Sequence, residues 1–188
     1  MNLLLRSHGP SIDELCGLFP GTDDVAGYEP VAPEQVPSPY RELLVHEHHM
    51  TVTVEGHHGG PVDVRVLDER LDGESYARKI LLVLHGTDRV VQYGLVRINL
   101  AYCSPEVRAA ILAKGTPLGR ILIEHNVLRR IEPTAILRIY PGSAMLEWFG
   151  LEQMHVTYGR LAFIHCDGKP AIELLEVVAP ETERPPSA

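Results

Sequence analysis

The chain returns repeatedly to apolar runs that are separated by little more than a turn. Residues 78–84 and 90–99 form one such pair, with Gly86-Thr87-Asp88 between them; residues 155–166 and 170–178 form another, joined through Asp167-Gly168. Asp-Gly between apolar runs is a strong hairpin signal. Strands that follow one another this directly pair antiparallel, since a parallel neighbour needs a crossover of a dozen or more residues. Repeated βαβ units are therefore excluded. Helix signals are set between the hairpins. Ser104-Pro105-Glu106 supplies an N-cap, a first-turn proline and an early acid for a helix over 107–113, closed by Gly115. Thr116-Pro117 opens a second helix running to about His125 in the same way. Residues 127–140 return to strand character and 143–149 to a short helix. The expected class is α+β: a single antiparallel β-sheet flanked by helices.

The N-terminal part reads differently. Residues 1–39 form an arm: Ser11-Ile12-Asp13-Glu14 has capping-box spacing for a short helix through Leu18, stopped by Pro20-Gly21. Four prolines (Pro30, Pro33, Pro37, Pro39) then favour an extended connector. The main domain is expected over 40–180, with a flexible tail at 181–188. Within it, a helical turn is expected over residues 40–45. The β-branched Thr51-Val52-Thr53-Val54-Glu55 reads as a strand, His58-Gly59-Gly60-Pro61 as a turn, and the alternating Val62, Val64 and Val66 as a half-buried strand.

Composition narrows the partners. At 188 residues the chain can bury one real core. A formal net charge of −8 gives no general attraction to phosphate backbones, so no nucleic-acid partner is expected. The opening Met1-Asn2-Leu3-Leu4-Leu5-Arg6 is too short an apolar run for a signal peptide, and no stretch of about 18 uncharged apolar residues spans a membrane. Cys16, Cys103 and Cys166 are odd in number and widely spaced, which fits reduced thiols of a cytoplasmic protein. The sequence does not fix the oligomeric state.

Two charges break otherwise apolar strand faces. Side chains alternate along a strand, so Arg78 shares its face with Ile80, Leu82 and Leu84, and Glu176 with Ile172, Leu174 and Val178. A buried charge needs a partner. These two can snorkel to water, pair with each other, or serve as the poles of a polar ligand; on composition alone the structural readings are the commoner. Lys79 and Glu173, on the opposite faces, show that parity does not decide. The helix start at Leu118 would add outward-pointing N–H groups, and a guanidinium with such amides suits a carboxylate.

Histidine is abundant, with clusters at His46-Glu47-His48-His49 and His57-His58. His46 and His48 could share one strand face and ligate a metal, but no diagnostic zinc spacing is present, and the expectation is no metal. No nucleophile elbow, P-loop or dinucleotide fingerprint occurs. Cys103 and Cys166 read as buried structural thiols.

An ordered set of motifs resembles the chorismate pyruvate-lyase (4-hydroxybenzoate synthase) family. The pieces are Leu43-Leu44 followed by His49-Met50-Thr51; Tyr76-Ala77-Arg78-Lys79-Ile80-Leu81-Leu82; Thr116-Pro117-Leu118-Gly119-Arg120; Tyr158-Gly159-Arg160; and Gly168-Lys169-Pro170 through Leu175-Glu176-Val177-Val178-Ala179-Pro180. They span about residues 43–180 in the family's order, while the first 40 residues and the segment near 134–155 match poorly. The His-rich residues 46–49 are a departure from the family. The resemblance implies a chorismate-lyase-like sheet with a sealed internal ligand pocket. It implies that Arg78 takes the ring carboxylate, helped by backbone N–H groups at Met50 and Leu118, and that Glu176 faces the far end of the ring. It further implies a cofactor-free carbon–oxygen lyase that converts chorismate to 4-hydroxybenzoate and pyruvate, with Arg78 and Glu176 as catalytic residues. Aromatisation drives that reaction, so the protein need only orient the side chain and stabilise charge. The alternative is a non-catalytic binding domain for a small aromatic carboxylate, since related folds serve as ligand-sensing domains of transcription regulators. The proline-rich first 40 residues do not read as a helix-turn-helix domain, which favours the enzyme.

Overall fold

The computed structural model describes residues 9–181. Seven strands form one antiparallel sheet: β1 (Val25–Val31), β2 (Val62–Asp72), β3 (Ser75–Leu84), β4 (Val90–Asn99), β5 (Arg129–Pro141), β6 (Thr157–Cys166) and β7 (Lys169–Val178). Their spatial order is β1-β5-β6-β7-β4-β3-β2. The hairpins expected at Gly86-Thr87-Asp88 and Asp167-Gly168 are both present. In the second, Asp167 and Gly168 have φ of 50° and 78°, the left-handed pair that a tight two-residue turn requires. The central strands β4, β6 and β7 are buried on both faces, as are most residues of β3. Such strands read as continuous apolar runs, which is what made them conspicuous.

Among the described residues, six α-helices cover the sheet. On one face lie α2 (Tyr40–Leu44), α3 (Met50–His58), α4 (Pro105–Leu112) and α5 (Leu118–Glu124). On the other lie α1 (Ile12–Gly17) and α6 (Ser143–Phe149). The caps follow the sequence signals. Ser104 accepts from the Val107 N–H at 3.3 Å with Pro105 at the first helical position, and Ser11 caps α1. No helix among the described residues is long and apolar enough to cross a membrane.

Two segments differ from expectation. Thr51 to Glu55 is not a strand but the middle of α3. Met50, Thr51 and Val54 are buried, on a helical spacing, and Gly59 in the left-handed region (φ 71°) stops the helix. The helix-propensity deficit of Val and Thr is a few tenths of a kcal/mol each, whereas burying a Val or Met side chain is worth about 1.5–3 kcal/mol, so tertiary packing wins. As a result His46 and His48 lie in the turn before α3 and not on a strand face; their rings stack 5.5 Å apart. The second difference is β1, which forms inside the stretch read as arm and connector. Pro30 is accommodated because β1 is an edge strand paired only with β5, where a missing N–H can face outward. The segments 1–8 and 182–188, including nearly all of the expected tail, lie outside the described residues.

Three hydrophobic clusters result. One, around α1 and α6, fills the face bearing Leu81, Tyr93, Leu95, Leu175 and Val177. The other two share the opposite face. The first packs α4 and α5 on Val96, Ile98, Ile164 and Leu174; the second packs α2 and α3 on Ile80, Leu82, Tyr158 and Val178. The candidate site lies at their boundary.

Candidate functional site

Arg78 and Glu176 both line one small, partly enclosed cavity of about 40 Å³ between these two clusters. Its floor is the sheet: Val64 from β2; Arg78, Ile80 and Leu82 from β3; Gln92, Gly94 and Val96 from β4; Ile164 from β6; Leu174 and Glu176 from β7. Its roof is the start of α3 (His49, Met50, Thr51) and the start of α5 (Pro117, Leu118, Gly119). All four residues expected at the site, Met50, Arg78, Leu118 and Glu176, are therefore brought to one space. The roof is close-fitting. A Cβ added at Gly119 would stand 3.0 Å from Thr51 Oγ1 and 3.2 Å from His49 Cβ, so a larger residue would make α3 give way by a few tenths of an ångström. Neither helix start is capped by a side chain: the N-caps are His49 and Pro117, and neither makes a capping hydrogen bond.

The two charges are held in different ways. Arg78 is 1% exposed, and its Nε and Nη1 have no hydrogen-bond partner. Burial pushes its pKa down, while the Tyr76 hydroxyl and the Glu69 carboxylate on the neighbouring edge strand hold it charged. Tyr76 in turn donates to Glu69 at 2.9 Å. An unmet buried guanidinium N–H is costly, and its place in this apolar cavity is unusual for a purely structural residue. Glu176 does not pair with Arg78. Register places the two on either side of β4, with Arg78 opposite Val96 and Glu176 opposite Gly94. They are thus separated by about 10 Å across the sheet and about 7 Å along it. Glu176 instead accepts from Arg160 Nε at 2.8 Å. Burial raises its pKa, and Arg160 acts against that rise.

Arg160, the last residue of the Tyr158-Gly159-Arg160 motif, is central to the site although the sequence reading assigns it no role. Its side chain is 1% exposed. It lies directly opposite Glu176 in the β6–β7 register, and its Nη1 and Nη2 donate to the His46 and His48 carbonyls, each at 2.9 Å. It thereby ties Glu176 to the turn that enters α3. Gly159 beside it allows the strands to close here: a Cβ there would stand 2.7 Å from the Glu176 carbonyl oxygen. The sequence signal was present, since Arg160 interrupts an apolar strand run as Arg78 does. Gln92 was also missed. It is 3% exposed, lines the cavity, and its Oε1 has no partner.

His49 connects the cavity to the surface. It lines the cavity and also an open groove of about 710 Å³, whose walls include His48, Val52, Ile123, Leu128, Arg129 and Arg130. His49 Nε2 accepts from Arg129 Nε at 2.5 Å. Burial, then Arg129 and Arg160, push the imidazole pKa down to about 4, so it stands neutral between cavity and groove near neutral pH.

No family model matches the sequence, and no curated protein matches it. Solved structures do share its fold. PhnF from Mycobacterium smegmatis superposes with a TM-score of 0.54 at 10% identity, covering 72% of this chain and 65% of that one. The chain thus spans less than two thirds of PhnF. A ligand-binding domain assigned to the GntR family of transcriptional regulators, from Bordetella bronchiseptica, gives 0.49 at 13% identity over 65% of this chain and 87% of that one. A GntR-family transcriptional regulator from Bacillus cereus gives 0.45 at 13%, over 68% and 97%. The lyase expectation is corrected by these findings: the likeness is to PhnF, with weaker matches described as GntR-family regulators, and it carries the fold and not a lyase chemistry. In the structure the carboxylate expected at the breaking bond, Glu176, accepts a hydrogen bond from Arg160. The chain has an α+β, chorismate-lyase-like fold, the fold of regulator ligand-binding domains.

Proposed function

We propose that this chain is a non-catalytic binding domain for a small carboxylate-bearing molecule, an aromatic acid being the best fit. The observation that carries this reading is the Arg78 guanidinium, buried in an apolar cavity with Nε and Nη1 unpartnered. A guanidinium N–H without a partner makes a strong charge-assisted hydrogen bond to a carboxylate oxygen, and the bond gains strength where water is excluded. The starts of α3 and α5 add uncapped helix amides at Met50 and Leu118. Ile80, Leu82, Val96, Ile164 and Leu174 supply apolar walls for a ring, and Gln92 and Glu176 supply polar groups beyond it. Such a mixture of apolar lining and a few aimed polar groups is usual for a small-molecule site.

The cavity of about 40 Å³ holds a few waters, not a ring acid. Entry therefore requires the starts of α3 and α5 to part, and His49, shared between cavity and groove, is the residue at the opening. Calorimetric titration of the chain with 4-hydroxybenzoate and a panel of other aromatic carboxylates tests the reading. One-to-one binding is expected for at least one acid, falling about 30- to 150-fold or more in Arg78→Met, the range of about 2–3 kcal/mol for a charged hydrogen-bonded contact. Affinity unchanged in Arg78→Met would overturn the assignment. Incubation with chorismate is expected to release no pyruvate.

A further inference from the structure

We propose that His57, His58 and Glu181 form a binding site for a divalent transition-metal cation of the zinc type, separate from the carboxylate cavity. His57 and His58 close the last turn of α3, and Glu181 follows β7, so the group joins two segments far apart in sequence. His57 Nε2 is 3.2 Å and His58 Nε2 3.8 Å from the same oxygen, Glu181 Oε1. All three ligand atoms lie within 4.8 Å of one another. Bonds of about 2.0–2.1 Å in a tetrahedron put ligand atoms about 3.3 Å apart. The three atoms are thus near the corners that one ion would require, with the fourth left to water.

The convergence is the informative part. A carboxylate has two oxygens, and two imidazoles that only paired with it could each take one. Here both aim at one oxygen, and their rings stand edge to face at 87° with centroids 4.8 Å apart, so the nitrogens meet without the rings stacking. Two imidazoles and one carboxylate with an open position is a familiar zinc donor set. The frame beneath is fixed: the Ala179 N–H donates to the Val91 carbonyl at 2.9 Å, and the Glu181 N–H donates to the Tyr40 hydroxyl at 2.9 Å. Gly59, left-handed, ends α3 just after the two histidines. With His57 and Glu181 side chains 29% and 20% exposed, an ion can reach the site from water. The histidines 46 and 48 do not compete as a ready-made site, because His46 is engaged by the Leu43 carbonyl at 2.7 Å and contacts Arg160.

The test is a titration of the chelator-treated full chain with Zn²⁺ by calorimetry, with Co²⁺ as a spectroscopic probe. One saturable site is expected, with a Co²⁺ visible band of tetrahedral intensity. The double variant His57→Ala/His58→Ala should abolish it, and Glu181→Gln, close in shape to the native residue, should weaken it by at least about tenfold. His46→Ala/His48→Ala should leave it unchanged. Absence of saturable binding, or full affinity retained in the His57/His58 double variant, overturns the proposal. Aromatic-acid binding by the same preparations reports on the carboxylate cavity separately, so failure of one site does not count against the other.

Discussion

Arg78 and Lys79 are neighbours on β3, both buried, and they point to opposite faces of the same sheet. Lys79 is fully met. Its Nζ is 2.5 Å from Asp24 Oδ2 and 2.6 Å from Thr22 Oγ1, and it lies over the rings of Phe19 and Trp148. Tyr93 donates to the same Asp24 oxygen at 2.8 Å, and Trp148 stacks on Tyr93. Arg78, one residue earlier, has two nitrogens without partners. One cation has been finished by the fold; the other has been left unfinished in a cavity. A buried ion that the protein itself satisfies is a structural clasp, here fastening the segment before β1 to the sheet. A buried ion left open is a reason to look for a ligand.

The largest effect should come from the finished side. Lys79→Met leaves Asp24 buried without its cation and is expected to cost about 3–5 kcal/mol in urea unfolding, whereas Arg78→Met should cost far less or raise stability while removing carboxylate affinity. If the two variants were equally destabilised, the contrast between the faces would collapse. Next in size is Tyr93→Phe. It removes a hydrogen bond to a buried carboxylate and is expected to lower stability by about 1.5–3 kcal/mol with ligand affinity intact. A further effect is a pH dependence. The His49 imidazole takes up a proton near 6.5 when unfolded, but only near pH 4 when folded. The unfolded state then holds more protons across that window, so stability falls as pH drops from 6.5 towards 4. His49→Asn should flatten that limb of a stability–pH curve; an unchanged slope would place the proton uptake elsewhere.

How much of this was legible beforehand divides along physical lines. Hairpins were legible because turn chemistry is local: Asp167-Gly168 names its own geometry. The strand-face positions of Arg78 and Glu176 were legible because alternation is a property of the strand alone. α3 was misread because Thr51 to Glu55 is β-branched, and only the sheet beneath it turns Met50 and Val54 into a helical stripe. β1 was hidden by Pro30, since edge position is a fact of the assembled sheet. Arg160's partner was invisible for a related reason: its pairing with Glu176 is a matter of β6–β7 register. Glu181 beside His57 and His58 is a contact between distant segments that no local spacing encodes. The motif resemblance named four residues that line one cavity, but it carried over a chemistry that the fold comparisons do not support.

A cavity too small for the proposed ligand has a consequence in time. A ligand that reaches Arg78 must wait for the starts of α3 and α5 to separate, and it must wait again to leave. Entry and exit are then set by a motion of the protein, on the slower timescales of collective opening, and not by diffusion. Carboxylates of quite different affinity would share nearly one association rate and differ in residence time.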